Sequence, residues 1–118
     1  MMNMSSESDT NRIRQLARSV KENPEDSFSK FALALECRKR GRYEKARVLF
    51  EDIRRRDPGY VGVYYHLGGL YVSLGRTGDA RTCYREGIEV AQRMKRTRTL
   101  TELREALQQL EYEIETRP

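Results

Sequence analysis

Few side chains in this sequence could carry out chemistry, and their spacing supports none. The sequence has one histidine, His66, and two cysteines, Cys37 and Cys83. A zinc site needs several clustered ligands, and no other His or Cys lies one helical turn from His66. No Ser or Cys stands near a histidine in a frame that suits nucleophilic catalysis, and no glycine-rich loop follows a strand. We therefore expect a non-enzyme without metal or cofactor, whose cysteines are reduced and packed.

The composition predicts one small helical domain. Of the 118 residues, 35% are charged and 37% are apolar, which suits amphipathic helices with solvated outer faces. The net charge is +5, but residues 100–118 carry five acids against two bases, so the basic charge lies in the rest of the chain. Residues 1–9 are polar and are expected to be disordered. The absence of a signal-like segment and of a long apolar run predicts a cytoplasmic protein.

The stretch 64–80 sets a pattern that the chain repeats. Large and small residues recur at helical spacing, a glycine interrupts them, and the period then resumes: Tyr64, Leu67, Gly68, Tyr71, Gly75, Ala80 and Tyr84. Pro24 and Pro58 lie 34 residues apart. Superposing residues 27–60 on 61–94 aligns the two copies at their key positions, with Leu33, Ala34, Gly41, Ala46 and Phe50 in the first copy. Two helical hairpins are therefore predicted.

This pattern resembles the tetratricopeptide repeat, and the chain looks like a short, stand-alone member of bacterial type. The resemblance implies an all-α fold of antiparallel helical hairpins that bind proteins or peptides. The expected organisation is an N-terminal helix at 10–23, repeats at 24–60 and 61–94, and a capping helix at 99–116, together forming one domain over 10–118. The helices are expected to approach closely at Gly68, and positive φ is expected at Gly41 and Gly75.

The first repeat departs from the pattern at three positions. Lys30 replaces the large residue held by Tyr64, Cys37 replaces Tyr71, and Arg40 replaces Leu74. Lys and Arg stems can cover apolar surface while their charged ends reach water. We therefore expect the first hairpin to persist but to be the looser of the two.

Each repeat's first helix has a second apolar face. Tyr65, Gly69 and Val72 share one such face, and Phe28, Phe31 and Leu35 share its counterpart. In the family that the chain resembles, these helices line a concave groove. The resemblance therefore implies the following partner contacts: Phe28, Phe31, Leu35, Arg38, Tyr65, His66, Gly69 and Val72. Alternatively, a terminal helix of the chain fills this groove. The Lys and Asn pattern that clamps a chaperone's terminal carboxylate in some relatives is missing, so a chaperone-tail adaptor is not expected.

The C-terminal helix has two interpretations. Thr99 and Glu102 predict a capping box at its start. An apolar stripe follows at steps of three and four: Leu100, Leu103, Leu107, Leu110 and Ile114. The stripe predicts either a lid on the second repeat, in a monomer, or a seam that makes a homodimer through Leu110 and Ile114.

A rival function is RNA or acidic-surface binding through basic clusters. The clusters are Arg38-Lys39-Arg40-Arg42, Arg54-Arg55-Arg56 and Arg93-Lys95-Arg96-Arg98. Each lies near a predicted helix end, where cations also offset the helix dipole, and none contains an aromatic residue that could stack on bases. Nucleic acid is therefore the less favoured partner, and binding of a protein or peptide remains the main expectation.

Overall fold

The structure, a computed structural model, describes residues 4–118, with side chains from Thr10 onward. These residues form six α-helices: α1 Met4–Glu22, α2 Ser27–Lys39, α3 Tyr43–Arg56, α4 Gly62–Ser73, α5 Thr77–Arg93 and α6 Thr97–Glu115. No strand occurs in this part of the chain, so the predicted all-α class is confirmed. The chain divides into two compact units, the first ending at Ile53 and the second beginning at Arg54. The prediction of a single domain over 10–118 stays a prediction.

The N-terminal helix has different bounds from those predicted. Disorder was expected over residues 1–9, of which 1–3 lie outside the described residues. Helix α1 begins at Met4 rather than near Thr10, and it ends at Glu22, directly before Asn23-Pro24. The stop has a local cause, because the residue before a proline disfavours the helical conformation.

Three helices end in the same hydrogen-bonded turn. The second residue after the C-cap donates its N–H to the carbonyl five residues earlier: Arg42 to Cys37 and Arg76 to Tyr71, both at 2.8 Å, and Arg96 to Ala91 at 2.9 Å. The residue in between has positive φ, which is 76° at Gly41, 74° at Gly75 and 56° at Lys95. The two glycines were predicted, because only glycine reaches this region without steric cost. Lys95 was not, because its side chain gives no such signal.

The first unit holds α1, α2 and nearly all of α3. Helix α1 packs against α2, and Arg12 Nε of α1 lies 3.2 Å from Glu36 Oε1 of α2. Apolar residues of α2 and α3 form the core: Ala34, Cys37, Ala46, Phe50 and Ile53. These contacts fix α1 beside the first hairpin.

Lys30 corrects one expectation from the sequence. Its side chain does not carry its charge into water, because the residue is only 5% exposed. Instead, Nζ lies 2.7 Å from Asp52 Oδ2 on α3. Arg40 also buries its Nη2 atom, which has no hydrogen-bond partner among the described residues. Lys30 and Arg40 therefore place charged groups inside the first hairpin rather than in solvent.

In the second unit, α4 and α5 approach at two glycines. A Cβ placed on Gly68 of α4 would lie 2.3 Å from the ring of Tyr84 on α5, and one on Gly87 of α5 would lie 2.4 Å from Tyr64 Cβ on α4. Each helix therefore supplies one glycine and one tyrosine. The Tyr64 hydroxyl also donates to the Pro58 carbonyl oxygen at 2.6 Å. The contact at Gly68 was predicted, but its partner is the ring of Tyr84, and the second contact at Gly87 was not foreseen.

Helix α6 packs against α4 and α5 as a lid. Leu103 and Leu110 are buried, whereas Leu107 and Ile114 are half-buried. The side chain of Leu110 is therefore already covered by its own chain, which argues against a dimer contact at this residue, and the oligomeric state stays a prediction. The predicted capping box is wrong, because α6 begins at Thr97 behind Arg96 and has no side-chain cap. Glu102 instead accepts a hydrogen bond from Arg98 Nε at 3.3 Å.

A first prediction tests the close approach of α4 and α5. We expect Gly68→Ala to destabilise the protein by about 1–3 kcal/mol, because the new methyl group would overlap the buried Tyr84 ring. Gly78→Ala is the matched control, since nothing lies within 4 Å of the position that its Cβ would take. Urea denaturation followed by circular dichroism measures both. Equal stability of the two variants would contradict the placement of the contact.

A second prediction concerns Lys95. We expect Lys95→Gly to stabilise the fold by roughly 1 kcal/mol, because glycine adopts positive φ without the Cβ clash that lysine suffers. Lys95→Ala removes the same charge but keeps the clash, so it should bring no gain. Thermal melts compare the three proteins. A gain for the alanine variant as large as that for glycine would show that charge, not backbone conformation, is responsible.

A third prediction separates the lid from a dimer seam. Leu103→Ala should cost about 2–5 kcal/mol at every protein concentration, because it empties a buried site inside one chain. Ile114→Ala should cost much less, since Ile114 is only half-buried. Melts at several concentrations, with light scattering after gel filtration, test both variants. A melting temperature that rises with concentration and loses this dependence in Ile114→Ala would instead indicate a dimer.

Candidate partner-binding surface

The candidate residues of the first unit lie along one face of α2. Phe28 is 69% exposed, whereas Phe31, Leu35 and Arg38 are half-buried. The Phe31 ring meets Phe50 of α3 edge-on, with ring centroids 5.8 Å apart. Phe31 therefore belongs partly to the core, while Phe28 exposes most of its surface to solvent.

Asp26 fixes the helical turn that carries Phe28. Its carboxylate accepts hydrogen bonds from the Phe28 N–H at 3.1 Å and from Ser29 Oγ at 2.6 Å. The Ser29 hydrogen bond lowers the pKa of the Asp26 carboxyl, so this cap is ionised at neutral pH. An N-cap aspartate satisfies an otherwise unpaired amide of the first turn. Asp26 was not among the predicted residues, although an Asp ahead of an apolar helical pattern is the usual signal of an N-cap.

The candidate residues of the second unit lie on α4. Tyr65 is 40% exposed, and His66, Gly69 and Val72 are half-buried. The His66 and Tyr65 rings meet edge-on, with centroids 5.5 Å apart. The opposite side of α4 is locked in the core by Tyr64, Leu67, Leu70 and Tyr71, which are all buried. The outer face of α4 is therefore held in place by its inner face.

The structure thus groups the eight predicted contacts as two sets of four, one on α2 and one on α4. Within each set, helical spacing places three residues on one face and the fourth beside it. The exposed aromatic rings, Phe28 and Tyr65, are the members that a partner could cover most fully. Each set by itself is suited to apolar contact, and the set on α2 also includes the cation Arg38.

The basic cluster 54–56 is partly used inside the protein. Arg54 donates hydrogen bonds to Glu86 Oε2, with its Nε at 2.8 Å. In the C-terminal cluster, Arg93, Lys95, Arg96 and Arg98 are all exposed, and Arg98 Nε donates a hydrogen bond to Glu102. Cations paired within the fold have less charge to offer a polyanion. The cluster 54–56 is therefore a weaker nucleic-acid site than its sequence indicates.

The two thiols are packed, as predicted. Both cysteines are free and buried. Burial raises the pKa of Cys37, and it raises the pKa of Cys83 to about 12. Cys83 Sγ also donates to the Tyr64 carbonyl oxygen at 3.4 Å. Because the thiolate is the reactive form, neither side chain is activated as a nucleophile.

The described residues show neither a metal cluster nor a membrane span. Among the side chains from Thr10 to Pro118, no group of three or more His, Cys, Asp or Glu is arranged to hold a metal ion. Each of the six described helices is too short or too polar to cross a bilayer.

Comparison with protein families identifies the repeat. The family model described as Tetratricopeptide repeat matches residues 38–101, which is more than half of the chain. The chain belongs to the tetratricopeptide repeat family. No curated protein sequence matches it significantly.

Solved structures support this assignment. A tetratricopeptide repeat domain protein from Salinibacter ruber is 45% identical in its crystal structure, with a TM-score of 0.71, over 73% of this chain and 96% of that one. The Yersinia enterocolitica type III secretion translocator chaperone SycD has a TM-score of 0.84 at 13% identity, over 95% of this chain and 78% of that one. The TPR2B domain of yeast Sti1, solved in complex with pHsp70, has a TM-score of 0.82 at 13% identity, over 92% and 87%.

The tetratricopeptide repeat frame gives the described helices their roles. Helices α2 and α4 are the first helices of the two predicted repeats, and α3 and α5 are the second helices. Identities of 13% show a shared fold alone, so the partners of SycD and Sti1 do not transfer to this tetratricopeptide repeat protein. Its own exposed side chains must indicate what it binds.

Proposed function

We propose that this tetratricopeptide repeat protein is a non-catalytic scaffold in which α2 and α4 each present an exposed apolar face to a peptide or helix of a protein partner. Two exposed aromatic residues, Phe28 and Tyr65, support the proposal most directly. Large rings left in water mark surfaces that a partner covers, and aromatic anchors dominate the energetics of protein interfaces. In this proposal the protein is a monomer in the cytoplasm, which its two free thiols support.

Each aromatic anchor stands on a rigid support. The Asp26 cap holds the first turn of α2, and the buried face of α4 fixes the direction of Tyr65. A preorganised side chain loses little conformational entropy when it binds, so more of its buried area contributes to affinity. Half-buried neighbours such as Leu35 and Val72 extend the apolar area around each ring.

The test compares the double variant Phe28→Ala/Tyr65→Ala with the control Tyr112→Ala. Tyr112 is 63% exposed but lies on α6, outside the proposed surface. Phe31→Ala is less suitable, because its contact with Phe50 would also perturb the core. Partners are recovered from native cells by affinity capture with the wild-type protein, and dissociation constants are then measured for all three proteins. We expect the double variant to weaken binding by about 30-fold or more, and the control to leave it unchanged.

The same measurements distinguish the rival function. Equal affinity of the wild type and the double variant would contradict the proposal. If affinity also fell steeply with salt and was lost in Arg93→Glu/Arg96→Glu, the partner would be a polyanion held by the exposed basic cluster.

A further inference from the structure

A second apolar surface lies within the first unit, between α1, α2 and α3. It is an open groove of about 570 Å³. Its apolar lining comes from all three helices: Ile13, Ala17, Leu33, Cys37, Val48 and Leu49. The volume falls within the range of about 300–1,000 Å³ that is usual for ligand-binding clefts.

This groove is separate from the proposed partner-binding surface. Leu33 and Cys37 are one turn apart on α2. At about 100° per residue, they lie roughly 160° around the helix from the face that carries Phe28, Phe31 and Leu35. Binding in this groove is therefore independent of the proposed function.

Comparison of the two repeats shows why the groove is open. Cys37 stands where the second repeat has Tyr71, and Arg42 stands where it has Arg76. In the second repeat, the Tyr71 ring is buried and the Arg76 guanidinium lies over it, 4.9 Å from its centroid. A cysteine side chain is far smaller than a tyrosine ring, and the described residues of the first unit leave this volume open as part of the groove.

The groove also leaves an aliphatic side chain in water. Val48 of α3 is 55% exposed, and the aligned residue of the second repeat is the polar Thr82. On α1 and α2, the apolar residues that line the groove are one helical turn apart, Ile13 with Ala17 and Leu33 with Cys37. Such a groove can receive side chains spaced three or four residues apart on a partner helix.

The rim of the groove is basic. Among the residues from Thr10 onward, Arg14, Arg42 and Lys45 line it, together with one acid, Glu44. Glu44 is itself held by Arg47, whose Nη2 lies 2.7 Å from Glu44 Oε2. Arg42 and Lys45 are exposed, and both favour the thiolate of Cys37, although burial dominates the pKa of that thiol and raises it. Acidic groups on a partner would therefore meet a complementary potential.

We propose that this groove binds an acidic, amphipathic helix of a protein partner. Two apolar side chains of that helix, one turn apart, lie on Leu33, Cys37 and Val48. Its flanking carboxylates face Arg42 and Lys45. The basic rim favours an acidic partner, and the small Cys37 side chain leaves room for the partner's apolar side chains.

The experiment uses the full chain and a designed pair of fluorescent peptides. The first peptide, about 15 residues long, has leucines at positions i, i+3, i+4 and i+7 and mainly glutamates elsewhere, and its twin carries lysine in place of each glutamate. We expect the acidic peptide to bind and its basic twin to bind at least about tenfold more weakly, as fluorescence anisotropy measures.

Groove variants then locate the site. Val48→Asp and Arg42→Glu/Lys45→Glu should each weaken binding of the acidic peptide by about tenfold or more. Arg93→Glu/Arg96→Glu, with the same change in charge outside the groove, should leave binding nearly unchanged. Phe28→Ala/Tyr65→Ala should also retain binding, which keeps this test independent of the proposed function. Circular dichroism verifies that each variant is folded. We expect Val48→Asp to fold, because Val48 is exposed.

Three results would overturn the inference. One is no binding of the acidic peptide at concentrations up to about 1 mM. Another is equal loss of affinity in the groove variant and the control with matched charge. The third is a doubling of mass in light scattering that Val48→Asp abolishes, because the occupant would then be a second copy of this chain.

Discussion

The packing of the second unit depends on the close contact between α4 and α5, in which each helix packs a tyrosine against a glycine of the other. Gly68 makes room for the Tyr84 ring, and Gly87 makes room for Tyr64. Two helices can approach this closely only where one side contributes no side chain, and the rings that fill the gap bury a large area. Since Tyr64 is also tied to Pro58 through its hydroxyl, the contact fixes the rotation of α4 about its axis. That rotation is what points Tyr65 outward.

In the first unit, an ion pair between α2 and α3 takes the place of this aromatic contact. Lys30 stands where the second repeat has Tyr64, and its ion pair with Asp52 replaces the aromatic contact. A buried ion pair costs desolvation that its attraction only partly offsets, so it supplies less stability than a packed ring. Cys37 in place of Tyr71 removes further volume. The same substitutions that weaken the internal packing of this unit also leave its apolar groove unfilled, so stability and binding capacity are linked at these positions.

The sequence predicted the features that neighbouring residues determine, but not those that depend on contacts between residues distant in sequence. The 34-residue period, the glycine turns and the stop before Pro24 depend on neighbouring residues, and the pattern identified them. Gly87, the burial of Lys30 and the covering of Leu110 depend on residues that are distant in sequence, so no local pattern reveals them. The start of α6 was misplaced for a third reason, since Lys95 adopts a conformation typical of glycine and Thr99 offered a better-looking cap. Helical periodicity predicted the candidate residues on the outward faces of α2 and α4. The groove on the opposite side of α2 could not be predicted in this way, because it depends on the space that α1 and α3 leave between them.

Helix α2 therefore has two separate apolar faces with different physical character. The face with Phe28 carries aromatic rings on a capped, rigid turn, which favours affinity through preorganised contacts. The opposite face is an open groove with a basic rim, and filling it would complete packing that the first unit lacks. Any ligand that binds only the folded state stabilises it by mass action, in proportion to the logarithm of its concentration over its dissociation constant. A ligand bound in the groove would thus also stabilise α2, the helix that presents Phe28. Binding at the two faces of α2 would then be coupled through the stability of this helix rather than through a change in its shape.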